Sequence, residues 1–381
     1  MTTRHYTRRN FCKTAAKKVL GAGFLLAGLP HITCAAATKT VHAYIGTAGR
    51  RGRDGGIYAL ALDVTTGAVT NNGPAAQAPT TSYLAAHPTK ALLYAVDGDR
   101  QSRICAYAID RQNRTLQLIN SQPTHGGSAC HVSLDQTGQW AFVANYSSGN
   151  VAVFPLAADG RLGEPSSLVQ HVGTRPRAHM IIASPDNRFT LAADLGLDKI
   201  VVYSFDAEKG QLTPHSTPWI QTAAGAGPRH LAFHPGGQHI FAINEHNSTL
   251  SAYTYDRGEL SEVQTLSTLP NSYTGRNYCA AVRLSADGRF VYGSNRGHDS
   301  IAAFSFDADK NQLQPSGHIA SGGTNPRDIR IDPSGSFLLA ANMRSGHISS
   351  FHIEQETGQL KPSGYAIEMP QPMSIAFLGD K

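Results

Sequence analysis

His131–Asn145 reads His-Val-Ser-Leu-Asp-Gln-Thr-Gly-Gln-Trp-Ala-Phe-Val-Ala-Asn. Two short runs rich in apolar and β-branched residues flank an Asp-Gln-Thr-Gly turn, the pattern of a tight strand–turn–strand hairpin. The phrase returns around Leu84–Tyr94, His179–Asp194, His230–Asn244, Ala280–Asn295 and Asp328–Asn342. Its turn falls at Pro88, Gln136, Pro185, Pro235, Ala286 and Pro333, giving spacings of 48, 49, 50, 51 and 47. A fixed period of this kind marks a repeat architecture.

After each hairpin comes a Gly or Asp turn and a third alternating strand, as in Gly149–Phe154 and Asp299–Phe304. A fourth, shorter strand is expected after turns such as Lys209–Leu212 and Thr357–Leu360. Four antiparallel strands per ~45-residue unit predict a propeller blade. A seventh half-phrase, Met373–Leu378, lies near the C-terminus, and its missing partner is Val41–Gly46 at the other end. The expected fold is therefore all-β: a seven-bladed β-propeller of four-stranded antiparallel blades, its ring closed by both termini. Such closure removes the exposed edge at the seam, whereas a solenoid needs atypical capping repeats at its ends. The 381 residues, which the usual length prior divides into two or three domains, thus read as one domain over 38–381 preceded by a leader at 1–37.

The leader explains the charge. Residues 1–37 carry Arg4, Arg8, Arg9, Lys13, Lys17 and Lys18 and no acidic side chain; the rest balances at 27 basic against 27 acidic. The net charge of +6 belongs to the leader, and the body has no global field to hold a nucleic acid. Thr7–Lys13 (Thr-Arg-Arg-Asn-Phe-Cys-Lys) resembles the twin-arginine export signal, with Cys12 in place of its Leu. The apolar stretch Val19–Leu29 is too short and too glycine-rich to span a bilayer, and Ala35–Ala37 offers a cleavage site. Thr33 precedes Cys34 where a lipoprotein signal wants Gly or Ala. The expectation is a twin-arginine translocase substrate, periplasmic or secreted, without a transmembrane segment once mature. Removing the leader leaves Cys105, Cys130 and Cys279, an odd number that implies buried thiols and no disulfide framework.

If the first strand of each blade runs along the channel and the second returns, strand-one starts and strand-two ends share one face of the disc. The starts carry Tyr83, His131, Arg177 with His179, Arg229 with His230, and Arg327 with Asp328; the ends carry Asn145, Asp194, Glu245, Arg296 and Asn342. Pro176, Pro228 and Pro326 fix the backbone before three of the arginines. Converging guanidiniums repel one another unless an anion joins them, so the set suggests a pocket for an anionic or carbonyl-bearing ligand. Polar side chains at these positions also serve to bind neighbouring blades together. No Gly-x-Ser-x-Gly elbow or Walker loop is present. His230 and His234 stand ~13 Å apart on a strand, too far to share a metal. Cys130, next to His131, is expected to face the other way by strict alternation.

Ala129–Val132, Val143–Gly149, Gly227–His230, Ser294–Ser300 and Asn325–Asp328 together resemble the bacterial 6-phosphogluconolactonase family of seven-bladed propeller lactonases and its relative, the fungal carboxymuconate lactonizing enzyme. The resemblance spans about residues 41–378. It implies a catalytic set on His179, Arg229, Glu245 and Arg296, and hydrolysis of a ring ester without metal, cofactor or covalent nucleophile. In that reading a water deprotonated by Glu245 or His179 attacks a lactone held by the arginines. His131, Asn145, Arg177, Asp194, His230, Arg327 and Asp328 are the expected substrate-binding residues. An exported protein would not meet a cytoplasmic phosphorylated sugar lactone, which favours an unphosphorylated aldonolactone. The Val-Ala-Asn phrase also resembles non-catalytic periplasmic propellers of the YVTN type, and muconate lactonization runs the same chemistry in reverse.

Overall fold

A computed structural model of the chain describes residues 39–48, 55–78, 80–98 and 102–378. The leader expected over residues 1–37, with its twin arginines and Cys34, lies outside the described residues. Seven separate four-stranded antiparallel sheets form the blades of a propeller. The inner strands are Pro372–Phe377, Thr81–Ala86, Ala129–Leu134, Ala178–Ala183, Pro228–Phe233, Tyr278–Leu284 and Pro326–Ile331, which define blades 1 to 7 in that order. Blade 1 is composite: Pro372–Phe377 pairs with Thr40–Thr47, with Ile45 opposite Ile375. The termini therefore close the ring as the split repeat predicted.

Each hairpin turn is held by the side chain that begins it. Asp135 Oδ1 accepts from the Gln139 and Trp140 amides at 2.7 and 2.9 Å, and Asp332 does the same for Phe337 at 2.7 Å. Gly138 completes its turn at φ +71°, where a Cβ would strike the His87 ring. The core is seven apolar layers, one between each pair of neighbouring blades. One such layer joins Tyr94, Val96 and Ile104 of blade 2 to Val132, Val143 and Phe154 of blade 3.

The outer strands differ from expectation. Most are longer than the inner ones: Gln211–Gln221 has 11 residues against 6 for Ala178–Ala183, and only Ser167–Gln170 is short. An outer strand packs on one neighbour and meets water elsewhere, so it lacks a regular apolar alternation and tolerates Pro214 and Pro218. Its length left no clear pattern in the sequence.

Candidate active site

The hairpin register places strand-one starts beside strand-two ends: Ala129 opposite Asn145, Ala178 opposite Asp194, Tyr278 opposite Arg296, and Pro326 opposite Asn342. One face of the disc thus gathers the polar set. A second device sharpens it. In blades 2, 3, 4, 5 and 7 the pairing slips by one residue just after the first position, leaving Ser82, Cys130, His179, Arg229 and Arg327 unpaired. Such a bulge suspends the two-residue alternation and re-aims side chains. Arg229 and His230 are consecutive in sequence, yet their side chains meet, Nη1 to Nε2, at 3.2 Å.

Glu245 is the hub. It follows the second strand of blade 5, His239–Asn244, and its backbone is fixed on both sides: its amide donates to Gly227 O at 2.7 Å and its carbonyl accepts from Cys279 N at 3.2 Å. Its Oε2 lies 2.9 Å from Arg229 Nε and 2.8 Å from Arg296 Nη2. Arg229, 2 % exposed, also donates to Ala280 O at 2.7 Å, and Arg296 donates to Cys279 O at 2.9 Å. Both guanidiniums are therefore anchored to the inner strand of blade 6. Oε1 of Glu245 has no hydrogen bond among the described residues.

Arg327 completes the cluster electrostatically. Its side chain makes no hydrogen bond or ion pair among the described residues, and its charge bears on Glu245, His179 and Arg229. Three cations thus face one carboxylate. Burial works against the Glu245 charge, but Arg229, Arg296 and Arg327 outweigh it and hold the carboxyl below its ordinary value. Burial, and then Arg229, Arg327 and Arg296, push His179 well below the ordinary imidazole value, so its ring is neutral at pH 7. Burial likewise lowers Arg229 and Arg327, with Arg296 adding to both.

The histidines form a chain of rings. His179 lies 5.4 Å from His230, which lies 5.8 Å from His131, and the His131 ring lies 4.3 Å from that of Tyr83, tilted by 41°. Each of the three imidazoles has a buried Nδ1 without a partner among the described residues. His179, Arg229, Glu245, Arg296, His230, His131 and Arg327 are therefore brought into one connected array.

Other residues of the sequence-derived set have different surroundings. Asp194 is fully buried; it accepts from the Arg177, Gly196 and Leu197 amides and meets His171 Nδ1 at 2.5 Å. Asn145 is also fully buried and donates to Thr124 O. Asp328 joins Arg283 at 2.7 Å and accepts from Ile375 N at 3.0 Å. These three hold strands and blades together. Arg177 is exposed and rests on Tyr146, donating to its hydroxyl at 2.5 Å. Asn342 donates to Ser321 O and Ser349 Oγ.

Cys130 sits on a bulge, so alternation does not set its direction. Its thiol is buried against the carbonyls of Ala144, Ala178 and His179 and is pushed up to about 12 by burial, which leaves it unactivated. No group of three or more His, Cys, Asp or Glu close enough to hold a metal occurs among the described residues, and none of their helices is long and apolar enough to cross a membrane. Arg283 and Arg330 escaped sequence reasoning. Both stand at the next-to-last position of an inner strand, where the other blades carry Ala85, Ser133, Ile182, Ala232 and Ala376. That misfit within the repeat was the available signal.

The fold and the cluster define a class: a seven-bladed propeller with a carboxylate bridged by guanidiniums on one face of its ring. Within that class the chain belongs to the family described as "Lactonase, 7-bladed beta-propeller", whose model matches residues 42–377. A relative named 6-phosphogluconolactonase, from Bacillus subtilis, is 35% identical over 296 residues, covering 75% of this chain and 83% of that one. The solved structure of the Pseudomonas aeruginosa periplasmic gluconolactonase superposes with a TM-score of 0.84 at 30% identity, covering 90% of this chain and 99% of that one. A protein from Lactobacillus plantarum superposes with a TM-score of 0.83 at 33% identity, covering 90% and 100%.

Proposed function

We propose that the protein hydrolyses a sugar lactone, an unphosphorylated aldonolactone, to the open acid, and that it does so after export. The observation that carries the reading is the bridged carboxylate: Glu245 Oε2 is shared by Arg229 and Arg296 while its Oε1 is left without a partner among the described residues. Hydrolysis turns a neutral ester into a carboxylate through an oxyanion. A site with three guanidiniums against one carboxylate favours that gain of negative charge.

Glu245 Oε1 takes a proton from water as its oxygen attacks the lactone carbonyl carbon. The carbonyl oxygen becomes an oxyanion facing Arg229, Arg296 and the unpaired Arg327. As the tetrahedral centre collapses, the ring C–O bond breaks and the leaving alkoxide takes the proton back from Glu245. One water is consumed; the new carboxylic acid then releases its proton to solvent, and the carboxylate lies beside the arginines. His179, kept neutral by burial and the neighbouring arginines, hydrogen-bonds substrate hydroxyls. His131, His230 and Arg327 complete the contacts with the sugar.

The choice of an unphosphorylated substrate rests on the twin-arginine-like leader, read as an export signal to the periplasm, and on the likeness to a periplasmic gluconolactonase. Initial rates on glucono-δ-lactone and 6-phosphogluconolactone, corrected for spontaneous opening, test it. The expected result is acceleration of both or of the first, with kcat for Glu245→Gln lower by roughly 100-fold or more. The Gln side chain keeps an oxygen for the guanidiniums, so the fold is expected to survive. Wild-type turnover in Glu245→Gln would remove the base, and no acceleration of either lactone would favour a binding propeller.

A further inference from the structure

The channel holds a second chamber that shares only His131 with the lactone contacts. A cavity of about 630 Å³ is lined by residues from the inner strands of all seven blades and reaches the hairpin turns at Pro235 and Ala286, on the disc face opposite the Glu245 cluster. At its inner end are Tyr83 and His131, which His230 links to Arg229. The four residues Arg229, Glu245, Arg296 and Arg327 are not part of its wall.

Most of that wall is apolar, including Leu84, Leu134, Leu231, Phe233 and Phe377, but two guanidiniums enter it. Arg283 is committed: it binds Asp328 Oδ1 at 2.7 Å, the Tyr83 hydroxyl at 3.0 Å and Val282 O at 2.7 Å. Its buried Nε still lacks a partner. Arg330 is not committed. Its Nε donates to Ile375 O at 3.0 Å, and its two terminal nitrogens make no hydrogen bond among the described residues. Burial, and then the neighbouring Arg283, press on its charge. His131 brings a buried, unpartnered Nδ1, and burial keeps its ring neutral.

Arg283 and Arg330 face one carboxylate, Asp328, so the chamber carries one excess positive charge in apolar surroundings. A guanidinium with two free nitrogens offers a forked donor of the shape that a carboxylate accepts. An apolar wall does not solvate a compact, highly charged anion, but it receives a hydrocarbon tail. The volume lies within the range of small-molecule sites. We infer that this chamber is a second binding site, for an organic monocarboxylate with an apolar body, held through Arg330 and meeting the lactone site only at His131.

Isothermal titration of the intact protein with hexanoate tests the proposal, with hexan-1-ol and inorganic phosphate as probes that lack the charge or the tail. Hexanoate is expected to bind below about 10 mM, and each of the other two at least roughly tenfold more weakly. Arg330→Leu is expected to weaken hexanoate by roughly tenfold or more while lactone turnover is unchanged. Ala286→Trp, at the exposed rim of the chamber, is expected to weaken it too, and serves if Arg330→Leu does not fold. Arg327→Leu, on the other face, should leave hexanoate affinity within about twofold. Equal binding of hexan-1-ol, loss of hexanoate in Arg327→Leu but not in the chamber variants, or no binding at about 10 mM would each overturn the site.

Discussion

At the scale of single residues, the candidate site turns on which group holds a proton. The Glu245 carboxyl is held below its ordinary value and His179 well below its own, so both are deprotonated at neutral pH. A base works only when deprotonated, so activity is present above its pKa and lost as pH falls through it. Because both values are lowered, kcat/KM is expected to stay flat from about pH 8 to pH 5.5 and to fall only in the acid range at or below that of an ordinary carboxylate. Rates corrected for spontaneous opening measure this. An acid limb centred near the ordinary histidine value would assign the proton transfer to an imidazole less suppressed than the structure shows.

At the scale of the strand and its neighbours, Asp194 separates a binding role from a structural one. Sequence reading placed it with the substrate-binding set because it ends a second strand on the functional face. In the folded chain its two oxygens serve three backbone amides and His171, with no exposure to solvent. Asp194→Ala would strand those donors and the Arg177–Leu197 corner, a loss of about 3–5 kcal/mol. The expected outcome is a markedly lower midpoint of thermal unfolding with kcat per folded molecule near wild type, measured below that midpoint. A large fall in kcat with unchanged stability would return Asp194 to the substrate. The same contrast explains what was legible. Repeated hairpins encode register, so the face carrying Glu245, Arg229 and Arg296 could be derived from spacing alone. The one-residue bulges could not: nothing in Ala178-His179-Met180 or Pro228-Arg229-His230 announces that alternation fails there, and these bulges bring His179 and Arg229 into the array. Arg283 and Arg330 were hidden by strand interiors that otherwise read as ordinary apolar wall.

At the scale of the whole molecule, closure and site are joined through Ile375 on the inner strand of composite blade 1. Its amide donates to Asp328 Oδ2 at 3.0 Å and its carbonyl accepts from Arg330 Nε at 3.0 Å, so blade 7 grips the closing strand at both polar groups of one residue. Asp328 also anchors Arg283, and Ile375 itself is fully buried. A chain ending at Pro370 would lack Pro372–Phe377, strip the inner edge from Thr40–Thr47, and leave Asp328 and Arg330 without their backbone partners. Burial of Ile375 contributes about 2–3 kcal/mol. Each charged group deprived of a hydrogen bond adds about 1.5–3 kcal/mol. Their sum is comparable with the whole stability of a typical domain, ~5–15 kcal/mol. Truncation is therefore expected to abolish cooperative thermal unfolding and to yield aggregates paired through the exposed edge of Thr40–Thr47, as read by calorimetry and light scattering. Moving the termini to the exposed turn at Ala286–Asp287, with the present ends joined, keeps all seven inner strands and is expected to fold. A truncated chain that still melts cooperatively as a monomer would mean that six blades and an open seam suffice, and that closure by both ends is not what holds this ring together.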